Sequence, residues 1–262
     1  MRHRDKNRPK VKSAVDVHGV SKVYDGGVEA LNDISLEFPE GQLTSVLGPS
    51  GCGKTTLLKI IAGLIPSTTG EVLVHGKRVT GPGPERAFVF QDFALMPWAD
   101  VMRNVGFGLE LKGVKRPQRE EVAQAYIAKV GLKGFERSYP HELSGGMRQR
   151  VGLARALAVD AKVLLMDEPF SAVDEQTRRK FQEDLLALIA EEKKTFIFVT
   201  HSIEEAVYVS DRVVLLSRRP SRVSAIIEPD IERGDDPESI RRDPAYLDTV
   251  ESIWQGLKRY VE

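Results

Sequence analysis

The 262-residue chain is 41% hydrophobic and 29% charged, with 38 basic and 38 acidic side chains and a formal net charge of zero. That is the profile of a soluble globular protein with one substantial core and at most an attached subdomain; charge balance removes the electrostatic case for a nucleic-acid partner. A single cysteine, Cys52, excludes an internal disulfide framework and fits a reducing compartment. No apolar run approaches the roughly 18 residues that span a bilayer; the nearest, Leu57 to Ile65, is interrupted by Lys59 and Gly63.

Residues 1–12 form a basic, polar tail with no apolar stretch behind it, so no signal peptide is expected and disorder is, with contact to anionic lipid as the alternative. From Ala14 to Phe38 apolar residues alternate (Val15 and Val17, then Ile34, Leu36 and Phe38) around Asp25-Gly26-Gly27, which predicts antiparallel strands flanking a hairpin. Tyr24 precedes that turn, and its ring suits either stacking on a flat base or burial in the core.

Leu43 to Leu47 reads as a short buried strand, and Thr55 to Ala62 as a helix with Leu57, Leu58 and Ile61 turned inward. Between them Gly48-Pro49-Ser50-Gly51-Cys52-Gly53-Lys54-Thr55 fits the phosphate-binding pattern G-x-x-x-x-G-K-[ST] at every required position. A nucleotide must shed water from densely packed negative charge, so its site needs many donors at short range. Gly48, Gly51 and Gly53 let successive N–H groups turn inward, and the helix that follows adds the positive end of its dipole. Lys54 is expected to reach the β- and γ-phosphates and Thr55 to place its hydroxyl on Mg²⁺, with Thr56 also among the nucleotide contacts.

Glu71 to Val79 supplies short strands around His75-Gly76, and Val89-Phe90 leads, as a buried strand would, to Gln91. Phe93 to about Ser138 reads as a helical insertion. It opens with the cluster Leu95-Met96-Pro97-Trp98, either a contact surface or the insertion's own core. A segment from Val101 to Leu111 follows, and then a helix opened by Pro117 with Val122, Ala125, Tyr126, Lys129 and Val130 spaced at three and four. Next, Leu143-Ser144-Gly145-Gly146 begins a helix that Ser144 can cap and whose first N–H groups no acid occupies. This is a second anion-binding helix start.

Val163 to Met166 reads as a buried parallel strand ending in Asp167 and Glu168, which should face the phosphates from the carboxyl edge of the sheet. Asp167 suits a Mg²⁺ ligand and Glu168 a base for the attacking water. Ser171-Ala172-Val173-Asp174 leads into a helix with Phe181, Leu185, Leu188 and Ile189 on one stripe. Thr195 to Thr200 is another buried strand and ends at His201, either a γ-phosphate contact or a structural histidine; Ser202 and Glu205 spell a capping box. Val213 to Leu216 is a further strand, Pro220 to Pro237 a polar, weakly ordered segment. A helix starting at Asp243-Pro244 carries Leu247, Val250, Ile253, Trp254 and Leu257 on one side, which should pack back on the body, a partner contact being the other reading.

With these residues placed, the chain from about Val15 to Leu216 resembles the ATP-binding subunit of an ABC transporter. The motifs that carry this are the Gly48–Thr55 loop, Gln91, Leu143-Ser144-Gly145-Gly146, Asp167-Glu168, Ser171 to Asp174, and His201; Val173 departs from the family's commoner leucine. The resemblance implies an α/β fold with a RecA-like P-loop NTPase core, an antiparallel β subdomain and an inserted α-helical subdomain. It implies a cassette over 13–228, with the helical insertion at about 93–138, and a C-terminal extension over 229–262. ATP and Mg²⁺ are the implied cofactors, with Thr55, Gln91 and Asp167 at the metal, Tyr24 stacked on adenine, and Glu168, His201 and Lys54 catalytic. Gly48 to Thr56, Gln91, Ser144, Gly145, Gly146 and Asp174 complete the nucleotide contacts, Ser144 to Gly146 acting on the ATP held by the other subunit of a homodimer.

The Leu95–Trp98 cluster, Gly108-Leu109-Glu110-Leu111 and the tail from Arg241 to Leu257 look most like importers of the nitrate, sulfonate and taurine group. That resemblance implies separate transmembrane permease subunits received near Trp98, an extracytoplasmic substrate-binding protein, and a peripheral place on the cytoplasmic face of the cell membrane. Soluble ABC ATPases of DNA repair or translation, the alternative, usually carry coiled-coil or zinc-bearing insertions or two cassettes. This chain has one cassette and one cysteine.

Overall fold

A computed structural model describes residues 12–171, 173, 175–231 and 237–258. The chain opens with β1 (Ser13–Val23) and β2 (Glu29–Pro39), paired antiparallel with Val15 opposite Phe38, Val17 opposite Leu36 and Val20 opposite Ile34. Then come β3 (Leu43–Leu47), α1 (Lys54–Ala62), β4 (Thr69–Val74), β5 (Lys77–Arg78) and β6 (Arg86–Val89). The helical stretch holds α2 (Val101–Leu111), α3 (Arg116–Lys129) and α4 (Gly145–Ala158). Next follow β7 (Val163–Asp167), α5 (Glu175–Glu192), β8 (Thr195–Thr200), α6 (Ile203–Val209), β9 (Arg212–Leu216) and β10 (Val223–Ile227). The described chain ends in α7 (Pro237–Ile240) and α8 (Pro244–Lys258).

The strands make two sheets, a four-stranded one in the order β2-β1-β4-β5 and a six-stranded one in the order β10-β9-β3-β8-β7-β6. The larger is parallel except for β10, and its strands β3, β7 and β8 are buried at every residue. A strand covered on both faces needs no polar alternation, which is why Val163 to Met166 and Thr195 to Val199 read as near-continuous apolar runs. On one face Val46, Leu165, Ile197, Val199 and Val214 share a core with α1 and the four-stranded sheet. On the other, Leu47, Leu164, Met166, Phe196, Phe198 and Leu215 pack with α2 to α6 and α8. Leu47 pairs with Thr200 and Asp167 with Val199, so the carboxyl ends of β3, β8 and β7 lie side by side.

Three expectations are corrected. The segment from Pro220 is not all weakly ordered, because β10 forms the edge of the larger sheet antiparallel to β9, its half-exposed alternation supplying too short an apolar signal to stand out. On α3 the buried face is Ala123, Ile127 and Val130, while Ala125 and Lys129 are exposed. Lys129 instead reaches Glu191 and Glu192 at the end of α5, at 2.9 Å each, so its spacing mimicked a buried stripe. On α8 the inward residues are Tyr246, Ile253 and Leu257, with Leu247 54% and Trp254 50% exposed. The helix packs against α6 and the main core, as its plainer reading required.

The Leu95–Trp98 cluster divides between its two readings. Leu95 packs on the core and Ala99 is buried, whereas Trp98 stands 73% exposed. Buried Asn104 sets this bend: its carboxamide donates to the carbonyls of Met96, Ala99 and Asp100 and accepts from the Met96 N–H.

Candidate active site

The loop between β3 and α1 is shaped by glycines that nothing larger could replace. A Cβ at Gly48 would lie 2.9 Å from both Cys52 Sγ and the Leu216 carbonyl oxygen; at Gly53, which caps α1 with φ 115°, it would lie 2.9 Å from Leu31 Cδ2. No side chain caps α1 and no acid sits in its first turn, so the N–H groups there remain available to an anion. Lys54 is buried, its Nζ donating to the carbonyls of Gly48 (2.9 Å) and Pro49 (3.1 Å). These neutral oxygens hold the ammonium in place without taking up its charge, which favours an arriving phosphate.

Ser50, Gly51, Gly53, Lys54, Thr55 and Thr56 line a cleft of about 590 Å³, whose other wall is Gln91, Glu168 and His201. At its floor Thr55 Oγ1 donates to Asp167 Oδ1 at 2.9 Å. Burial pushes the Asp167 carboxyl above the usual range; the Glu168 charge adds to this and the Thr55 hydrogen bond opposes it. Glu168 has a left-handed backbone (φ 47°), and its carbonyl accepts from the Ser171 N–H (3.1 Å) and hydroxyl (2.9 Å). Glu168 Oε2 lies 3.2 Å from Gln91 Nε2 and 3.4 Å from His201 Nδ1. The ends of β6, β7 and β8 therefore meet around one carboxylate.

After His201, Ser202 caps α6 by accepting from the Glu205 N–H at 3.2 Å, but the reciprocal half of the capping box does not form. The Glu205 carboxylate accepts from Thr200 Oγ1 at 2.6 Å, and Thr200 Oγ1 accepts the Ser202 N–H at 3.0 Å. The acid is drawn inward to bridge strand and helix, and burial raises its pKa.

Tyr24 is 41% exposed beside the loop, its hydroxyl 3.0 Å from Thr56 Oγ1, and so is not a core residue. Pro49 and Cys52 do not line the cleft. Cys52 is 2% exposed, packed in the core beneath the loop, while its N–H donates to the Pro49 carbonyl. Ser144 caps α4 by accepting from the Met147 N–H at 3.2 Å, and Ser144, Gly145 and Gly146 lie outside the cleft of their own chain. Asp174 falls outside the described residues.

Two neighbours of the loop were not anticipated. Ser221, buried, donates its hydroxyl to the Cys52 carbonyl, while its backbone bonds Ala30 and Asn32 and so ties the loop to β2. Arg219 brings a guanidinium nitrogen within 3.4 Å of where a Cβ at Gly51 would sit. Neither had a sequence signal, being single residues in a polar run.

The buried position of Cys52 yields a prediction. A thiol reagent must displace the loop to reach Sγ, so alkylation should be slow and should inactivate in step with labelling, and nucleotide bound to the loop should slow both. Mass spectrometry with parallel ATPase assays checks this; full labelling with retained activity would remove Cys52 from the loop's support.

Fold and site together define a P-loop ATPase. The chain belongs to the ABC transporter family, whose model matches residues 31–171. It is 52% identical over 238 residues to an uncharacterized ABC transporter ATP-binding protein of Methanocaldococcus jannaschii, covering 90% of this chain and 89% of the relative. It is 49% identical over 226 residues to the taurine import ATP-binding protein of Escherichia coli K12, covering 85% and 89%. Among solved structures it is similar to a dimeric ATP-binding cassette in a post-hydrolysis state bound to ADP and Pi. That match has 32% identity and a TM-score of 0.73, and covers 82% of this chain and 98% of the other.

Proposed function

We propose that this ABC ATPase is the energy-coupling subunit of a membrane importer of taurine, another sulfonate, nitrate or a similar small solute, acting as a homodimer with ATP held between its subunits. The observation that carries the shared site is that Ser144, Gly145 and Gly146, an open helix start, are absent from the cleft holding the phosphate loop of the same chain. The 49% likeness to a taurine import protein supports the importer reading. The homodimer is also favoured by the likeness to a dimeric cassette bound to ADP and Pi.

In the mechanism, Lys54 exchanges its loop carbonyls for the β- and γ-phosphates, and the first N–H groups of α1 hold the phosphate chain. The Tyr24 ring covers the adenine. Thr55 Oγ1 and Asp167 Oδ1 are adjacent hard oxygen donors that would hold Mg²⁺, which bound there would neutralise charge developing on the phosphates. Gln91 would join them once freed from Glu168. Glu168 accepts the proton of the attacking water, and His201, on the same carboxylate, is placed to meet the γ-phosphate. The other subunit's helix start at Ser144 supplies donors on the open side, and Asp174 is assigned to the same interface.

Among the described residues no helix is long and apolar enough to cross a membrane, so transport requires separate permease subunits. The exposed Trp98 is the proposed docking point for them, with an extracytoplasmic binding protein completing the complex on the other side. This puts the chain on the cytoplasmic face of the membrane. Tagged protein recovered from detergent-solubilised membranes of its host should carry an integral membrane protein and the binding protein, and the complex in vesicles should import labelled taurine or a competing solute. Recovery without any integral membrane protein would overturn the importer reading and favour the soluble alternative.

A further inference from the structure

Gln91 is joined to the helical part of the chain through Asp92, Phe93 and Ala94, and this connection is strained. Phe93 (φ 60°) and Ala94 (φ 45°) are consecutive residues with side chains in the left-handed region, a conformation that single residues rarely adopt and that persists only when neighbours over-determine it. The neighbour here is Arg155 of α4. Its Nη2 donates to the Phe93 carbonyl and its Nη1 to the Ala94 carbonyl, both at 2.7 Å, the fork geometry that arginine alone provides. Arg148, two turns earlier on α4, lies 5.9 Å over the Phe93 ring. Arg155 thus spends its charge on two neutral carbonyls, and burial alone lowers its pKa.

We infer that Arg155 is a positioning residue for hydrolysis, clamping the left-handed pair Phe93-Ala94 so that the Gln91 side chain is held in the cleft beside Glu168, within reach of the metal site it joins on release. The inference rests on the roles proposed for Gln91 and Glu168. Its consequence is that the ends of α4 serve two tasks, with Ser144 at the start facing the other subunit's nucleotide and Arg155 near the finish holding its own chain's Gln91 segment. Movement of the helical unit would then be transmitted to the catalytic carboxylate through one guanidinium.

The test is a double-mutant cycle on the full chain, reading kcat, KM for ATP and thermal midpoint. Arg155→Ala should lower kcat by about 10- to 100-fold, the range expected for misplacement of catalytic groups, with KM within about 3-fold of the parent. Gln91→Ala should lower kcat similarly, and the double variant should be no slower than the slower single variant, since both remove the same alignment. Arg155→Lys keeps the charge but loses the planar fork that meets the Phe93 and Ala94 carbonyls with two separate nitrogens. It should regain the thermal midpoint without regaining kcat, and it replaces Arg155→Ala in the cycle should the latter not fold. Unchanged kcat in Gln91→Ala would overturn the site reading and the inference with it. A responsive Gln91→Ala with multiplicative losses in the double variant, or an Arg155→Lys that recovers midpoint and kcat together, would overturn the inference alone.

Discussion

Glu168→Gln should retain ATP binding and lose hydrolysis by about 10²- to 10⁴-fold, the usual contribution of a positioned general base; that is roughly 3 to 5.5 kcal/mol of transition-state stabilisation. The geometry makes this a conservative variant. The Gln91 amide donates to Glu168 Oε2, and a glutamine carbonyl oxygen can still accept that bond, so the walls of the cleft should keep their places. What disappears is the capacity to take a proton. Nucleotide affinity by equilibrium binding and turnover of the purified variant separate the two effects, and near-normal turnover would remove Glu168 from the chemistry. Lys54→Ala should differ in kind: it deletes the cation held at Gly48 and Pro49, so binding itself should fall.

A mixed dimer of one Lys54→Ala chain and one Ser144→Arg chain should trap one ATP, while neither homodimer traps any. If sites form across the interface, one site collects both lesions and the other has none; if each forms within a chain, every site carries one lesion. Trapping is best read in a Glu168→Gln background, because turnover can demand that both sites act together. Ser144 is also a helix cap, and its loss alone costs about 0.5–2 kcal/mol of stability, so the variant's fold must be shown by its thermal midpoint. A folded mixed dimer that traps nothing would count against the shared site.

The parts of this site legible from residue order are those whose chemistry is local. A phosphate loop is eight consecutive residues, so its pattern shows in residue order, although Leu216, Leu31 and Asp167, which meet Gly48, Gly53 and Thr55, lie far along the chain. Buried parallel strands announce themselves as apolar runs, so the carboxyl-edge placement of Asp167 and His201 could be expected before any register was known. Even so, residue order leaves Tyr24 between stacking on a base and burial in the core, because an aromatic residue beside a turn suits both until its exposure beside Thr56 is seen.

What escaped were features that belong to pairs of distant segments. Helical spacing on α3 and α8 offers more than one apolar stripe, and which one turns inward depends on the neighbour; Glu191 and Glu192 of α5 draw Lys129 out, and the main core takes Tyr246 and Ile253 while leaving Leu247 and Trp254 to solvent. The edge strand β10 exists because β9 offers it a ladder, not because Val223 to Ile227 demands extension. Ser221 under Cys52 and Arg155 behind Phe93 and Ala94 are single residues whose importance lies in backbone carbonyls many residues away. Residue order carries the phosphate loop, the strand runs and the capped start of α4, since each shows as a pattern within a few positions. The meeting of Gln91, Glu168 and His201 on one carboxylate follows from strand order and register, and the place of Ser144 outside that cleft from the packing of α4, both of which only long-range contacts decide.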